Sequence, residues 1–129
     1  MRICVWDTET TGFPTRGGTL DQQPYIVQFA AIEGEYSNGE YTEIARHDIM
    51  IKPAISIPFA SSQVHGIYDK DVADKNTFAA HADEILRVLN RADIVSGHNV
   101  EFDEEILGYE LARIGRKWDY SPMKSLCTM

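Results

Sequence analysis

The chain has little cysteine, a shortage of basic residues and no long apolar run. Its 129 residues include only Cys4 and Cys127, too few for a disulfide framework, so stability has to come from a packed core. A reducing, cytoplasmic setting is expected. Cys4 lies inside an apolar run and reads as a small buried hydrophobe. No stretch approaches the ~20 apolar residues of a membrane span. The N-terminus enters a strand-like pattern at once, so no signal peptide is expected. Lys and Arg total 12 against 20 Asp and Glu, a net charge of −8. That balance argues against a protein that wraps nucleic acid electrostatically. It does not exclude a nuclease, because bound cations reverse the sign of an acidic site where phosphate sits. There is no internal repeat and no low-complexity tract.

The length suits one domain, and 43% hydrophobic with 25% charged residues is a globular balance. Residues 2–8 read as a buried strand and 10–24 as a polar loop. Tyr25 to Glu33 is a second strand. Ser37-Asn38-Gly39 is a hairpin signal, because Asn-Gly accepts the positive φ angles of a type I′ turn. Residues 41–52 return as a third strand. Residues 53–68, with Pro53, Pro58 and His65-Gly66, read as irregular, followed by a short helix at about 69–73. A longer helix runs from Thr77 as N-cap to about Arg91, with Phe78, Ala82, Ile85, Leu86 and Leu89 on one stripe. Asp93 to Gly97 is a short strand. A last helix spans about Glu101 to Ile114, with Phe102, Ile106, Leu107, Leu111 and Ile114 facing inward and Gly115 ending it. A strand begins again at Ser125–Thr128. A hairpin-linked trio followed by a helix, a strand and a helix gives an α/β fold with a mixed sheet and flanking helices.

Two motifs carry chemistry. Asp7-Thr8-Glu9-Thr10-Thr11-Gly12 ends the first strand. Residues i and i+2 of a strand share a face, so Asp7 and Glu9 aim two carboxylates at one place. Burying either charge is expensive without a counter-charge, and for oxygen ligands alone the fitting ions are Mg2+ or Mn2+. His98-Asn99-Val100-Glu101-Phe102-Asp103 lies where a strand becomes a helix. Asp103 in the first turn suits the helix dipole. Alone it reads as a first-turn acid. Beside Asp7 and Glu9 it reads as a third carboxylate at the strand end, with Phe102 pointing into the core and fixing the helix register.

These motifs, with Val64-His65-Gly66-Ile67 between them, resemble the DEDD 3′–5′ exonucleases. More narrowly, they resemble the branch holding the proofreading subunit of bacterial DNA polymerase III and ribonuclease T. The resemblance covers essentially the whole chain, in order and spacing. It implies a ribonuclease H-like fold and a site where four acids hold two divalent metals and a histidine acts as general base. Asp7 and Glu9 take the place of the first-motif ligands, and Asp103 that of the second. Two ions ~4 Å apart can clamp the attacking water and the leaving oxygen of a phosphodiester. The resemblance further places Thr8, Thr10, Gly12, Phe13, His65, Asn99 and Phe102 around the terminal nucleotide. An aromatic ring at Phe13 can stack on any base; the alternative for Phe13 is a core role, and for His65 a structural one. His98 reads as support for the strand end, and His47 and His81 as surface or stripe-edge residues.

The family's third motif, His-x-x-x-x-Asp, has no separate counterpart here. His47 leads to Lys52, His65 to Lys70 and His81 to Leu86; only His98 leads to an acid, Asp103, which already belongs to the second motif. One exonuclease domain over residues 1–129 is therefore expected, lacking a C-terminal helical segment. Its activity is expected to be impaired, because losing a general base costs ~10²–10⁴-fold. The substrates implied are single-stranded or frayed 3′ ends of DNA or RNA. A polymerase partner fits the resemblance, and self-association through surface left uncovered is a further expectation. The competing reading is a non-catalytic module that binds nucleic-acid ends or a polymerase. A phosphatase with an aspartyl nucleophile usually wants Asp-x-Asp, whereas Glu9 stands at the second position here.

Overall fold

A run that alternates strictly between two environments belongs in a sheet with one covered face. Strand β1, Arg2–Thr10, does this: Cys4, Trp6, Thr8 and Thr10 are buried, whereas Val5 and Asp7 are exposed. The computed structural model describes residues 1–117 and the backbone of 125–127. In it β1 pairs antiparallel with β2, Ile26–Ser37, which turns back as β3, Glu40–Met50. The turn is the expected one, with φ of 54° at Asn38 and 78° at Gly39. On its other side β1 pairs in parallel with β4, Ile94–Gly97, and β4 pairs in parallel with β5, Ser125–Cys127. The five-stranded sheet runs β3-β2-β1-β4-β5. It is the mixed sheet read from the sequence, three antiparallel strands followed by parallel additions.

Four α-helices lie among the described residues: α1, Phe59–His65; α2, Asp69–Val72; α3, Phe78–Asn90; and α4, Val100–Arg113. The apolar stripes of α3 and α4 pack on Cys4, Trp6, Phe29, Ala31 and Val95 to form the main core. A smaller cluster joins Val27 to Ile57, Ile67 and Val72. A register shift at the Glu9/Thr10 end of the β1–β2 ladder allows neighbours Ile26 and Val27 to be buried in different clusters. No helix among the described residues is long and apolar enough to cross a membrane.

Several boundaries differ from the sequence reading. The 53–68 stretch is not irregular throughout, because α1 forms inside it; Pro58 occupies its N-cap, where a missing N–H is harmless. The polar loop contains a short 3-10 turn at Leu20–Gln22. Ile114 does not face inward: it lies past the end of α4 and is 37% exposed. His47, read as a surface or stripe-edge residue, is half-buried. It contacts Glu33, which is fully buried on β2 and also bound by Arg2 from β1 and by Arg91 from the end of α3. This cluster ties the β3, β2 and β1 strands to α3. The Arg91, His47 and Arg2 bonds hold the Glu33 carboxyl down to about 2 despite its burial.

Candidate active site

The β1–β4 ladder ends at Val5↔Ser96. Beyond it β1 continues alone on that side, and the chain leaves β4 to start α4. Gly97 permits this departure: a Cβ there would lie 2.6 Å from the Trp6 carbonyl oxygen, in backbone that cannot yield. Asn99 takes up the left-handed conformation, φ 58°, at the N-cap of α4, a conformation asparagine tolerates. The first turn of α4 is thereby laid against the end of β1, in the gap left by β4.

Asp103 is delivered into that gap. It is 2% exposed. One of its oxygens accepts from the Thr8 hydroxyl at 2.6 Å and from the Thr8 backbone N–H at 3.3 Å. The acid thus spans from helix to strand instead of capping its own helix. Burial pushes its carboxyl up to about 7, against the opposing pull of the Thr8 hydroxyl, and the charge of Asp7 adds to the rise. The Asp7 carboxyl beside it thus works in the same direction as burial. Glu9 is half-buried, and burial followed by the charge of Asp7 raises it as well. Asp7 is therefore the electrostatic link between the other two acids. Among the described residues none of the three forms an ion pair with Lys, Arg or His. Nor is any group of three or more His, Cys, Asp or Glu drawn close enough together to hold a metal ion. The donor chemistry still fits a hard divalent cation: oxygen ligands only, like charges adjacent, one of them buried.

Beside the acids lies a pocket of about 180 Å3 lined by Thr8, Glu9, Thr10, Gly12, Phe13, Ser61, Val64, His65 and Phe102. The structure thus brings six of the substrate candidates read from the sequence to one place. Phe13 is 83% exposed, which removes the core alternative for it. Its ring meets that of Phe102 edge-on at 5.7 Å. Phe102 does not point fully into the core: it is half-buried, touching the core on one side and Phe13 on the other. His65 ends α1 instead of sitting in a turn. Its Nε2 donates to the Thr10 carbonyl at 3.0 Å, and its Nδ1 accepts the Ile67 N–H at 3.1 Å. That pair of bonds selects the neutral tautomer with its proton on Nε2. Ser61, one turn earlier, donates to the Thr11 carbonyl at 2.7 Å. Helix α1 therefore braces the loop after Glu9 at two successive carbonyls. Asn99 and His98 are exposed at the β4–α4 junction and do not line this pocket. Ser61 was missed, and Val64 was named only as part of the motif around His65; the signal available was their position one turn apart, ahead of His65, on the unrecognised α1.

Comparison with known proteins bears on the same elements. An exonuclease family model, RNase_T, matches residues 4–129. The chain is 37% identical to the 3′-5′ exonuclease DinG of Bacillus subtilis over 115 residues, 89% of this chain and 11% of that protein. It is 34% identical to DNA polymerase III subunit epsilon of Escherichia coli K12 over 115 residues, 89% of this chain and 45% of the relative. It spans less than half the length of the curated relatives it matches. Among solved structures, E. coli exonuclease I in complex with a dT13 oligonucleotide superposes with a TM-score of 0.75 at 22% identity, covering 96% of this chain and 27% of that one. Exonuclease X in complex with 5′ overhanging duplex DNA gives a TM-score of 0.66 at 20% identity, covering 98% and 60%. At these identities the two likenesses show a shared fold.

Proposed function

The chain belongs to the RNase_T exonuclease family, and from that premise we propose that it is the catalytic domain of a two-metal-dependent 3′–5′ exonuclease acting on 3′ ends of DNA or RNA. The observation that carries the proposal is the buried Asp103, placed against Asp7 with no cationic side chain among the described residues paired to either. Asp7 and Glu9 from β1 and Asp103 from α4 would hold the ions. Mg2+ or Mn2+ bound there would supply an activated water and offset the charge that develops on the phosphodiester. Thr8 fixes the orientation of Asp103 through two bonds to one oxygen. Phe13 and Phe102 offer aromatic surface to the terminal base, which explains affinity without sequence readout. His65 and Ser61 hold the Thr10 and Thr11 carbonyls, so the pocket floor is set before substrate arrives.

The 129 residues supply these three acids and no His-x-x-x-x-Asp pair apart from His98–Asp103. These 129 residues taken alone, without a third-motif base, should turn over ~10²–10⁴-fold more slowly than a relative that carries one. The test uses a 5′-labelled single-stranded oligonucleotide with Mn2+, alongside binding of thymidine 5′-monophosphate with and without the metal. Slow shortening from the 3′ end by single nucleotides, dependent on Mn2+, is expected. Turnover equal to that of a complete relative would overturn the impairment. Neither shortening nor metal-dependent nucleotide binding would overturn the reading as a whole.

A non-catalytic end-binding module is favoured by one observation, the lack of a closed three-ligand group among the described residues. End-binding that survives Asp7→Asn with EDTA present would decide for it.

A further inference from the structure

We propose that the groove beside the candidate active site binds the nucleotides just 5′ of the terminal one, with Arg16 meeting a backbone phosphate; this rests on the exonuclease reading above. The groove has a volume of about 620 Å3 and runs between the Pro14–Gln23 loop and the outer side of α4, where Glu105 and Tyr109 form its second wall. Its lining adjoins that of the catalytic pocket along both walls. Phe13 lines the pocket and Pro14 the groove; Phe102 lines the pocket, and Glu105 follows one turn later on the same helix face. The edge-on pair Phe13–Phe102 forms the part of the pocket lining next in sequence to Pro14 and one turn before Glu105. At about 180 Å3 the pocket falls below the ~300–1,000 Å3 of an ordinary small-ligand site. It accommodates part of one nucleotide, and the rest of a strand has to run over neighbouring surface.

Charge picks the side of the groove. Arg16 is exposed and makes no ion pair or hydrogen bond among the described residues, in a chain with 12 basic and 20 acidic residues. On the opposite wall the Tyr109 hydroxyl donates to the Glu105 carboxylate at 2.6 Å. A phosphate is repelled there and attracted to Arg16, while the Tyr109 ring presents a flat face to a base or sugar. The wall carrying Arg16 is already ordered. Gln23 accepts from the Thr15 N–H at 2.8 Å and donates to the Thr15 carbonyl at 2.8 Å and the Gly18 carbonyl at 3.3 Å. Arg113 reaches from α4 to the carbonyls of Leu20, Gln23 and Pro24 at 3.0, 2.6 and 3.0 Å. Binding to a wall already fixed in shape avoids most of the cost of ordering a loop. One cation and one ring carry no base-specific donor pattern, so the groove favours length over sequence.

The test compares thymidine 5′-monophosphate with tetrathymidylate carrying a hydrolysis-resistant 3′-terminal phosphorothioate linkage, on the full chain with Mn2+. Arg16→Glu should weaken the tetranucleotide ~10-fold and reduce the slope of log affinity against log salt by ~0.7, the loss of one phosphate contact on a single strand. The mononucleotide should stay within ~2-fold, because it does not reach the groove. Arg16→Lys should recover most of the affinity. Unchanged tetranucleotide binding in Arg16→Glu, or an equal loss for both ligands, overturns the groove while leaving the exonuclease reading intact. Failure of the unaltered chain to bind either ligand overturns the exonuclease reading and the groove with it.

Discussion

Replacing Asp103 with asparagine should stabilise the metal-free protein at alkaline pH while abolishing its response to divalent ions. The carboxyl is raised from an ordinary 3.8 to about 7 in the folded chain, mainly by burial. A raised folded value means that the folded state holds its proton more tightly than the unfolded one. The stability this provides is complete below pH ~4, declines as pH rises, and is gone above pH ~7. The difference is about three pH units, or ~4 kcal/mol as a ceiling at 1.36 kcal/mol per unit. Relaxation of the site around the charge reduces this to ~2 kcal/mol. Asparagine has nearly the same shape, keeps an acceptor for both Thr8 bonds and never ionises. In EDTA, Asp103→Asn should therefore melt ~5–10 °C above the parent at pH 8 and level with it at pH 4.5. Mn2+ should then raise the parent at pH 8 and leave the variant unmoved. Circular dichroism melts across pH 4.5–8.5 provide the readout. A variant less stable at pH 8, or a difference that does not change with pH, would refute the reasoning.

Two further outcomes follow from other residues. Glu33 is held down to about 2 by Arg91, His47 and Arg2, so its stabilisation is present above its ordinary 4.5 and is lost as pH falls through about 2; Glu33→Gln should cost ~3 kcal/mol at pH 7 in urea unfolding and much less at pH 2. Phe13→Ala should weaken single-strand binding by ~1–3 kcal/mol in an anisotropy titration, with a melting temperature shifted by no more than ~2 °C because the ring is 83% exposed.

The architecture was legible wherever periodicity was long. The α3 stripe from Phe78 to Leu89 and the Asn38-Gly39 turn stand where the pattern put them. So does the junction from β4 into α4. The acids on β1 were readable because a strand alternates, and Asp103 because a first-turn acid at a strand–helix junction gained meaning from the two acids already placed on β1. Helix α1 was hidden by its seven residues and by Pro58, which reads as a breaker although it suits a first helical turn. The Glu33 cluster was illegible for another reason: its members come from β1, β2, β3 and the end of α3, and only the folded sheet reveals that Arg2, His47 and Arg91 converge. The brace from His65 to Thr10 is similarly a contact across 55 positions. Alternation predicts which face a side chain takes, but not what lies opposite it.

The central claim is that Asp7, Glu9 and Asp103 form one divalent-metal site at the end of β1. Titration calorimetry of Mn2+ into the chain at pH 8 tests it most directly, with Asp7→Asn and Asp103→Asn in parallel. Mn2+ should bind the parent, with binding lost or reduced at least ~100-fold in each variant, the effect of removing an oxygen ligand that faces the ion. Absence of binding to the parent, or equal binding to all three proteins, would contradict it.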